Sequence, residues 1–414
     1  MEKLRNHIKR NCNNYILFFF LLSIFVDNIN GFILQKIGSN SISFGQILRF
    51  LFIFFFCVIN LLLLSKDEIL YIIKKYYYVC IFFFFPIVYY YQHQSFFGII
   101  DDYLYIFKLI YFFLIVYSIK LYFRKGILKK NTLIKVVKLY IWLAPLSIIL
   151  PYFLGMGFES YANSGYRGFY FANNEINVVL VFTYIYSIDI LLEEFNFNSV
   201  INYIINLVAL LMIGSKTSLI IILIMFIIYF WKYRNKMFTN KKIILYIISS
   251  ITFLAFFKSF IIKIFNRFKY FYDMLVTNGD GTILTFLLSN RDKRIAPAIK
   301  NNIVENSFFI INIFFGVGHY QQTYGKDMNS LMELDFVDTF LWYGIVVAIY
   351  ILFQYIYIFY KSKDKKDIFV YQLSYIVILM FSLVAGHVWY SPLSATIFSL
   401  IACFLLIPNN EEEV

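Results

Sequence analysis

Long apolar runs recur along almost the whole chain. Residues 50–64, for example, read FLFIFFFCVINLLLL and carry no charge. A helix needs about 20 such residues to cross the roughly 30 Å hydrocarbon core of a bilayer. The run is apolar on every face, whereas a strand of a membrane barrel alternates apolar and polar residues. With 61% hydrophobic and 15% charged residues, the sequence predicts an all-α polytopic membrane protein.

Apolar length places about twelve transmembrane helices along the chain. We expect 1–414 to form a single integral membrane domain. A large extracytoplasmic loop, 264–335, carries short amphipathic helices and separates helices nine and ten. The expected spans are 15–34, 44–64, 76–91, 103–123, 134–154, 174–193, 200–213, 217–231, 243–263, 336–360, 368–386 and 389–407.

Basic residues fall in alternate loops, which predicts the orientation of the chain. Because Lys and Arg concentrate in cytoplasmic loops, this side is the cytoplasm and both termini are cytoplasmic. The net charge of +13 then reflects orientation in the bilayer, and no nucleic-acid partner is expected. Four scattered cysteines predict neither a metal site nor a disulfide framework. The basic loops lie at 3–10, 66–75, 120–138, 232–242 and 361–366.

Two short outward segments carry isolated cations. In GYRGFYFANNEIN (165–177), Arg167 lies between two glycines, and asparagine amides at the start of the next helix can cap it or bind sugar hydroxyls. In GSKTS (214–218), Lys216 lies on the side that the positive-inside rule leaves poor in basic residues. Ionisable groups at a membrane edge are candidates for function, so we regard both cations as potential ligands for an anion.

The long outer loop contains a basic amphipathic stretch. SNRDKRIAPAIKNN (289–302) carries Arg291 and Arg294, and its isoleucines recur at helical spacing. Guanidinium groups suit bidentate binding of phosphate. An interfacial helix on anionic lipid is the alternative interpretation.

Two histidines lie near outer turns. His319 follows the flexible GVG of FFGVGHYQQTYG (314–325), and His387 lies in GHVWYS (386–391). A lone histidine near aromatic residues is more often packed than catalytic. His319 is therefore a secondary catalytic candidate.

Three carboxylates lie at the start of the tenth expected span. Asp335 and Asp338, three residues apart, share one helical face, while Glu333 points elsewhere. A helix N-terminus favours negative charge, which accounts for one of them as a capping residue but hardly for three. Together with the outward cations, they predict a site that grips an anionic head group and deprotonates a neutral nucleophile.

At these residues the sequence resembles the O-antigen ligase and polysaccharide polymerase superfamily, which includes the Wzy-type polymerases of O-antigen and capsule. The resemblance lies in the order of YRGFYFANNEIN, GSKTSL, NRDKR, GVGHY and MELDFVDTFLWYGIV, and it covers about 155–348. The twelve-helix plan with one large loop is similar as well. Ligases of this family usually carry a His-Asn pair where this sequence has MELDFVD, which favours a polymerase.

The resemblance implies a glycosyltransferase in a bacterial cytoplasmic membrane, with no metal and no cofactor. It would join donor and acceptor oligosaccharides carried on polyprenyl diphosphate into O-antigen or capsule, on the outer face, with a chain-length regulator and a flippase as possible partners. The diphosphate would be bound by Arg167, Lys216, Arg291 and Arg294. The catalytic candidates are Asp335, Glu333, Asp338 and His319.

Three alternatives remain open at the level of sequence. A ligase of the same superfamily would use nearly the same chemistry. A flippase for the same lipid-linked oligosaccharide would also have about twelve spans, together with similar halves and charges in mid-span, of which Lys108 is the most conspicuous here. A structural or sensory membrane protein would leave the outer charges without a purpose.

Overall fold

The computed structural model describes residues 2–37, 44–76, 82–161, 164–234, 258–277, 279–324, 332–365 and 367–408. Helices dominate these residues. Several predicted features lie outside the described residues, namely most of the ninth expected span (243–257) together with Cys80, Lys236, Lys241, Lys242 and Lys366.

The described elements are α-helices, two short strands and two π-helical turns. Two short strands, β1 (Glu159–Tyr161) and β2 (Ser164–Tyr166), pair antiparallel, and two π-helical turns cover Asp273–Thr277 and Lys300–Val304. The α-helices are α1 (Glu2–Ile37), α2 (Phe44–Leu63), α3 (Lys66–Tyr76), α4 (Phe85–His93), α5 (Phe96–Arg124), α6 (Lys130–Phe153), α7 (Asn173–Glu193), α8 (Phe197–Ile213), α9 (Lys216–Tyr233), α10 (Lys258–Tyr272), α11 (Ile283–Leu287), α12 (Asp292–Ile299), α13 (Phe309–Phe315), α14 (His319–Tyr324), α15 (Asp335–Lys361), α16 (Phe369–Val384) and α17 (Pro392–Leu406).

Seven of the described helices are long and apolar enough to cross a membrane: α1, α2, α5, α6, α7, α9 and α15. Helices α8, α16 and α17 are apolar but shorter, at 17, 16 and 15 residues. These helices fit the predicted all-α membrane protein, while the count of twelve stays a prediction.

Several element boundaries differ from the sequence expectation. Helix α5 begins at Phe96, seven residues before the expected 103, because the Ser95 side chain caps it by accepting a hydrogen bond from the Gly98 N–H at 3.2 Å. Where one span was expected at 76–91, α3 ends at Tyr76 and α4 begins at Phe85. Helix α10 runs to Tyr272, into the predicted 264–335 loop.

The chain divides into two compact units. The first comprises 1–15, 49–130 and 288–414, and the second comprises 16–48 and 131–287. In the second unit, α7 packs along α8 and is the most buried of the candidate spans. The Asn206 amide donates to the Ile141 carbonyl at 2.9 Å, so a polar side chain ties α8 to α6 inside this unit.

The first unit is built around α5. Phe112 of α5, Tyr355 of α15 and Phe398 of α17 form its aromatic core, with ring centroids 4.8 to 5.4 Å apart. Thr339, near the start of α15, contacts the Tyr390 hydroxyl at 2.7 Å, just before α17 begins. The starts of α15 and α17 and the end of α16 therefore lie at the same end of this unit.

The opposite end of the first unit is basic. Here α5, α15 and α17 end around a cavity of about 430 Å³ whose lining includes four cations, Lys120, Arg124, Lys361 and Lys365. Lys365 donates to the Ile407 carbonyl at the end of α17, at 2.8 Å. Cations at helix C-termini complement the unpaired carbonyls there, so this charge also has a structural basis.

Helix α15 is broken at Gly344, whose φ of 81° and ψ of 170° are not helical. Beside the break, the carbonyls of Leu341 and Trp342 accept hydrogen bonds from the Val317 and Gly318 N–H groups, at 2.9 and 3.0 Å. The turn between α13 and α14 thus joins the broken helix by backbone hydrogen bonds. Irregular backbone in a membrane helix is stable only where protein or a water-filled cavity satisfies it.

Candidate functional site

Asp335 and Asp338, the two buried carboxylates at the start of α15, are held by backbone N–H groups. Asp335 is 2% exposed and accepts from His387, Val388 and Trp389 at 2.8, 2.9 and 3.0 Å. Asp338 is 4% exposed and accepts from Met332 and Leu334, both at 3.1 Å.

These contacts give both side chains a structural task. Asp335 holds the turn between α16 and α17, and Asp338 holds the residues that lead into α15. Their shared burial agrees with the shared helical face expected from sequence. All four carboxylate oxygens already accept hydrogen bonds from the backbone, and the catalytic role of these two acids stays a prediction.

Glu333 lies just before α15 and faces two basic side chains. Its Oε2 pairs with the Arg291 guanidinium, and its Oε1 lies 3.8 Å from Nε2 of His387. These two neighbours, His387 first and Arg291 second, lower the pKa of Glu333 to about 2 against the opposing effect of burial. Glu333 therefore stays ionised at neutral pH. We call this group the Arg291–Glu333–His387 cluster.

The backbone around the cluster is strained. Of the six non-glycine residues with positive φ in the described part of the chain, two belong to the cluster, Glu333 at 57° and His387 at 63°, and two directly precede Arg291, Ser289 at 54° and Asn290 at 67°. A left-handed conformation at a non-glycine residue is uncommon and costs free energy. Such strain collects at functional sites, where the surrounding structure maintains it.

Part of the basic stretch 289–302 is helical, as α12. Arg291 lies at its N-cap position, and its side chain is 12% exposed, whereas Glu333 and His387 retain 38% and 30% exposure. Arg294 lies one turn further on and is half-buried.

His319 is buried on the same unit. Its Nδ1 contacts the Asp101 carboxylate, and Tyr105 stacks on its ring with centroids 3.4 Å apart. Burial lowers the pKa of His319, and Asp101 opposes that shift. The neighbouring Asp102 accepts from the Tyr320 N–H at 2.9 Å and so fixes the start of α14.

Gly318 allows α14 to approach α5 closely. Its φ of 82° is left-handed, and a Cβ there would lie 2.9 Å from Oδ1 of Asp102 and 2.7 Å from the Tyr89 ring. Only glycine fits these two conditions. The GVGH motif thus places His319 against Asp101.

Arg167 belongs to the second unit, beside the β1–β2 hairpin. Its guanidinium donates to the Phe171 carbonyl at 2.5 Å, its backbone N–H donates to the Phe158 carbonyl at 3.0 Å, and its side-chain Nε is buried without a partner among the described residues. Burial lowers the pKa of Arg167, although a guanidinium remains charged at neutral pH.

Lys216 also belongs to the second unit and packs on Phe286. Its ammonium donates to the Phe286 carbonyl and lies 4.4 Å from the centre of that ring. The turn that carries it rests on Asn177, whose amide contacts Ser215 at 3.0 Å and Thr217 at 3.1 Å. The predicted amide of NNEIN thus supports the predicted GSKTS turn, and Lys216 already has a carbonyl partner.

The sequence reasoning missed Asp101 and Asp102 and gave little weight to His387. Asp101 and Asp102 lay in a presumed loop because the span was expected to begin at 103. The signal was available, since adjacent acids at the edge of an apolar run are functional candidates by default. His387 had no such signal, because its neighbours Arg291 and Glu333 are distant in sequence.

The described residues include no group of three His, Cys, Asp or Glu side chains arranged to hold a metal ion. Comparison of the chain with protein-family models, with curated proteins and with solved structures finds no match.

Proposed function

We propose that this protein is a membrane glycosyltransferase that joins oligosaccharide units carried on polyprenyl diphosphate into a surface polysaccharide. The Arg291–Glu333–His387 cluster is the proposed substrate site. It combines charged side chains that remain partly exposed with a backbone held in rare conformations at Glu333, at His387 and at the two residues that precede Arg291. That combination is the observation that supports the proposal most.

The chemistry of the cluster suits a diphosphate-linked donor. A diphosphate is already a good leaving group, so catalysis chiefly requires cations that hold its developing negative charge. Arg291 uses one guanidinium nitrogen for Glu333 and keeps further N–H donors, and Arg294 adds a second guanidinium on the same helix. Glu333, ionised at neutral pH, orients Arg291 and accepts hydrogen bonds from sugar hydroxyls.

The proposed orientation places the cluster outside a bacterial cytoplasmic membrane. The first unit has its cationic cavity, with Lys120, Arg124, Lys361 and Lys365, at the end opposite the start of α15. The positive-inside rule assigns that basic end to the cytoplasm. The cluster then faces the side where surface polysaccharides are assembled.

The test is the gel profile of surface polysaccharide from a strain that lacks this gene. The strain is complemented with the intact gene, with Arg291→Ala, with Arg291→Lys, or with Lys300→Ala. Lys300 is a matched control because it lies on the same segment but is 65% exposed and paired with Glu305. We expect single repeat units in the deletion strain and long chains with the intact gene and the control.

Arg291→Ala should lower polymer formation by about 100-fold or more, the usual effect of removing one group that stabilises a transition state. Arg291→Lys should also form less polymer than the intact gene, because an ammonium lacks the forked pair of N–H donors of a guanidinium. The protein level in the membrane is measured alongside. Two results in the deletion strain would contradict the proposal. Long polymer left unattached to its acceptor would indicate a ligase, and repeat units trapped in the cytoplasm would indicate a flippase.

A further inference from the structure

Three side chains of the first unit are joined in series by hydrogen bonds. Asp101 of α5 contacts Nδ1 of His319, and the Thr323 hydroxyl lies 3.2 Å from Nε2 on the other side of the same ring. His319 and Thr323 lie one turn apart on α14. The order carboxylate, imidazole and hydroxyl is the arrangement by which proteins activate a hydroxyl group.

The imidazole is fixed in place. Tyr105 stacks on one face with an interplanar angle of 14°, and the Trp342 ring meets the imidazole nearly at right angles with centroids 4.8 Å apart. The side chain of His319 is only 3% exposed, while that of Asp101 is 23% exposed. A ring held on one face by Tyr105, beside Trp342 and at Nδ1 by Asp101 loses little entropy when Nε2 accepts a proton.

The carboxylate determines which nitrogen can act as a base. With Nδ1–H donated to Asp101, the lone pair of the neutral ring lies on Nε2, where Thr323 now donates. Burial keeps the ring neutral by lowering the pKa of His319, and Asp101 stabilises the imidazolium once it forms. The titratable groups that face this pair are Asp102, Tyr105, Lys108, Tyr324, Tyr343 and Tyr390.

A buried donor without a partner lies beside the pair. Gln322 is 1% exposed, its Oε1 accepts from the Trp342 indole, and its Nε2 has no hydrogen-bond partner in the described part of the chain. Trp342 contacts both Gln322 and His319. A buried amide N–H without an acceptor is costly, which indicates that an acceptor from outside the protein completes the site.

We propose that His319, oriented by Asp101, is the base that removes the proton from the acceptor sugar hydroxyl, which takes the place of Thr323 at Nε2. This assignment rests on the proposed glycosyltransferase function. The acceptor oxygen bonds to the anomeric carbon of the donor while the bond from that carbon to the diphosphate oxygen breaks. The bonding pair leaves with the diphosphate, the hydroxyl proton moves to Nε2, and the imidazolium later releases it to water.

The experiment uses the full-length protein in vesicles with a purified lipid-linked repeat unit. Polymer formation is measured across pH for the wild type and for His319→Gln, Asp101→Asn, Thr323→Val and His7→Gln. His7→Gln is the matched control, because His7 is exposed and contacts Tyr15 instead. Melting temperatures in detergent are measured for every variant.

We expect His319→Gln to lower kcat by about 100-fold or more, as for loss of a general base, with little change in KM. Asp101→Asn should lower kcat and move the acid limb of the pH profile to lower pH, because the carboxylate that raises the pKa of His319 is gone. Thr323→Val should retain at least about a tenth of the rate, since its hydroxyl is displaced during the reaction.

The outcomes separate this assignment from the proposed function. If the wild type forms no polymer, the proposed function fails and this assignment fails with it. If the wild type is active and His319→Gln remains active, only the assignment is wrong. A purely packed His319 predicts lost activity together with a lower melting temperature, and an acid limb that Asp101→Asn does not move. Loss in Thr323→Val as complete as in His319→Gln would make Thr323 a nucleophile and overturn the assignment.

Discussion

The structural and the catalytic role of a carboxylate at the start of α15 can be tested separately, and Asp335 is the example. Its carboxylate accepts three backbone N–H bonds from the turn between α16 and α17. Asp335→Asn replaces one acceptor oxygen with an NH₂ group and leaves at least one buried N–H without a partner. We expect the variant to lose about 3 kcal/mol of stability, seen as a lower melting temperature in detergent.

The control for this substitution is Glu305→Gln, whose partner Lys300 is exposed. A surface pair of this kind contributes at most about 1 kcal/mol, so the control should melt close to the wild type. If Asp335→Asn abolishes polymer formation while its melting temperature stays at the wild-type value, Asp335 is catalytic and its structural role is minor.

Glu333 gives the Arg291–Glu333–His387 cluster a defined dependence on pH. Its pKa in the folded protein is about 2, below its ordinary 4.5, because His387 and Arg291 face the carboxylate. The ionised form is thus favoured by folding, so its contribution is fully present above pH 4.5 and is lost as the pH falls toward 2.

The comparison is between the wild type and Glu333→Gln. We expect the wild type to melt at a higher temperature near neutral pH, and the difference to shrink steadily once the pH falls below 4.5. Because Glu333 is partly exposed, solvent screens the pair and the difference remains modest. A difference that is constant over the whole range would mean that the charge of Glu333 contributes nothing to it.

Residue types near the site were predictable, but their partners were not. The sequence identified Arg291, Glu333 and His319 from charge and local motif, because ionisable groups beside apolar runs are conspicuous. It could not pair Arg291 with Glu333, which are 42 positions apart, or His319 with Asp101, which are 218 apart. Such pairs depend on how the helices pack, and helical periodicity specifies only the face on which a residue lies.

At the level of whole elements, the break in α15 is where this helix packs against α13. Gly344 adopts a left-handed φ of 81°, and a Cβ there would lie 2.5 Å from the backbone nitrogen of Phe315. Gly344→Ala therefore forces both an unfavourable backbone and a clash with α13. We expect a loss of at least about 2 kcal/mol, with less protein in the membrane and a lower melting temperature.

Gly126 offers a matched control for that prediction. Its φ of 64° is also left-handed, but a Cβ there would meet nothing within 4 Å. Gly126→Ala should therefore lose only the backbone contribution, about 1 kcal/mol. Equal losses in the two variants would mean that the contact between α13 and α15 does not stabilise the break.

Apolar length predicted the type of these elements better than their ends. Helix α5 starts early because Ser95 caps it, and a capping serine is a weak signal beside a polar stretch such as QHQS. The discontinuity at Gly344 was not predicted, because a single glycine inside an apolar run is compatible with an intact helix. Its cause is tertiary, namely the backbone hydrogen bonds to Val317 and Gly318.

For the molecule as a whole, the proposed orientation can be tested with two exposed positions. Met156 lies in the connection between α6 and β1 and is 57% exposed, and Lys363 follows α15. Each is changed separately, Met156→Cys or Lys363→Cys, in a protein whose four native cysteines are replaced. Spheroplasts are then treated with a maleimide that does not cross membranes.

We expect Met156→Cys to react in intact spheroplasts and Lys363→Cys only after the membrane is opened, because Lys363 belongs to a basic loop that the positive-inside rule keeps in the cytoplasm. Reaction of both positions in intact spheroplasts would mean that the number of crossings between them is even. Reaction of Lys363→Cys alone would invert the orientation. The cluster would then face the cytoplasm, where a polymerase of exported repeat units has no substrate, and the proposed function would fail.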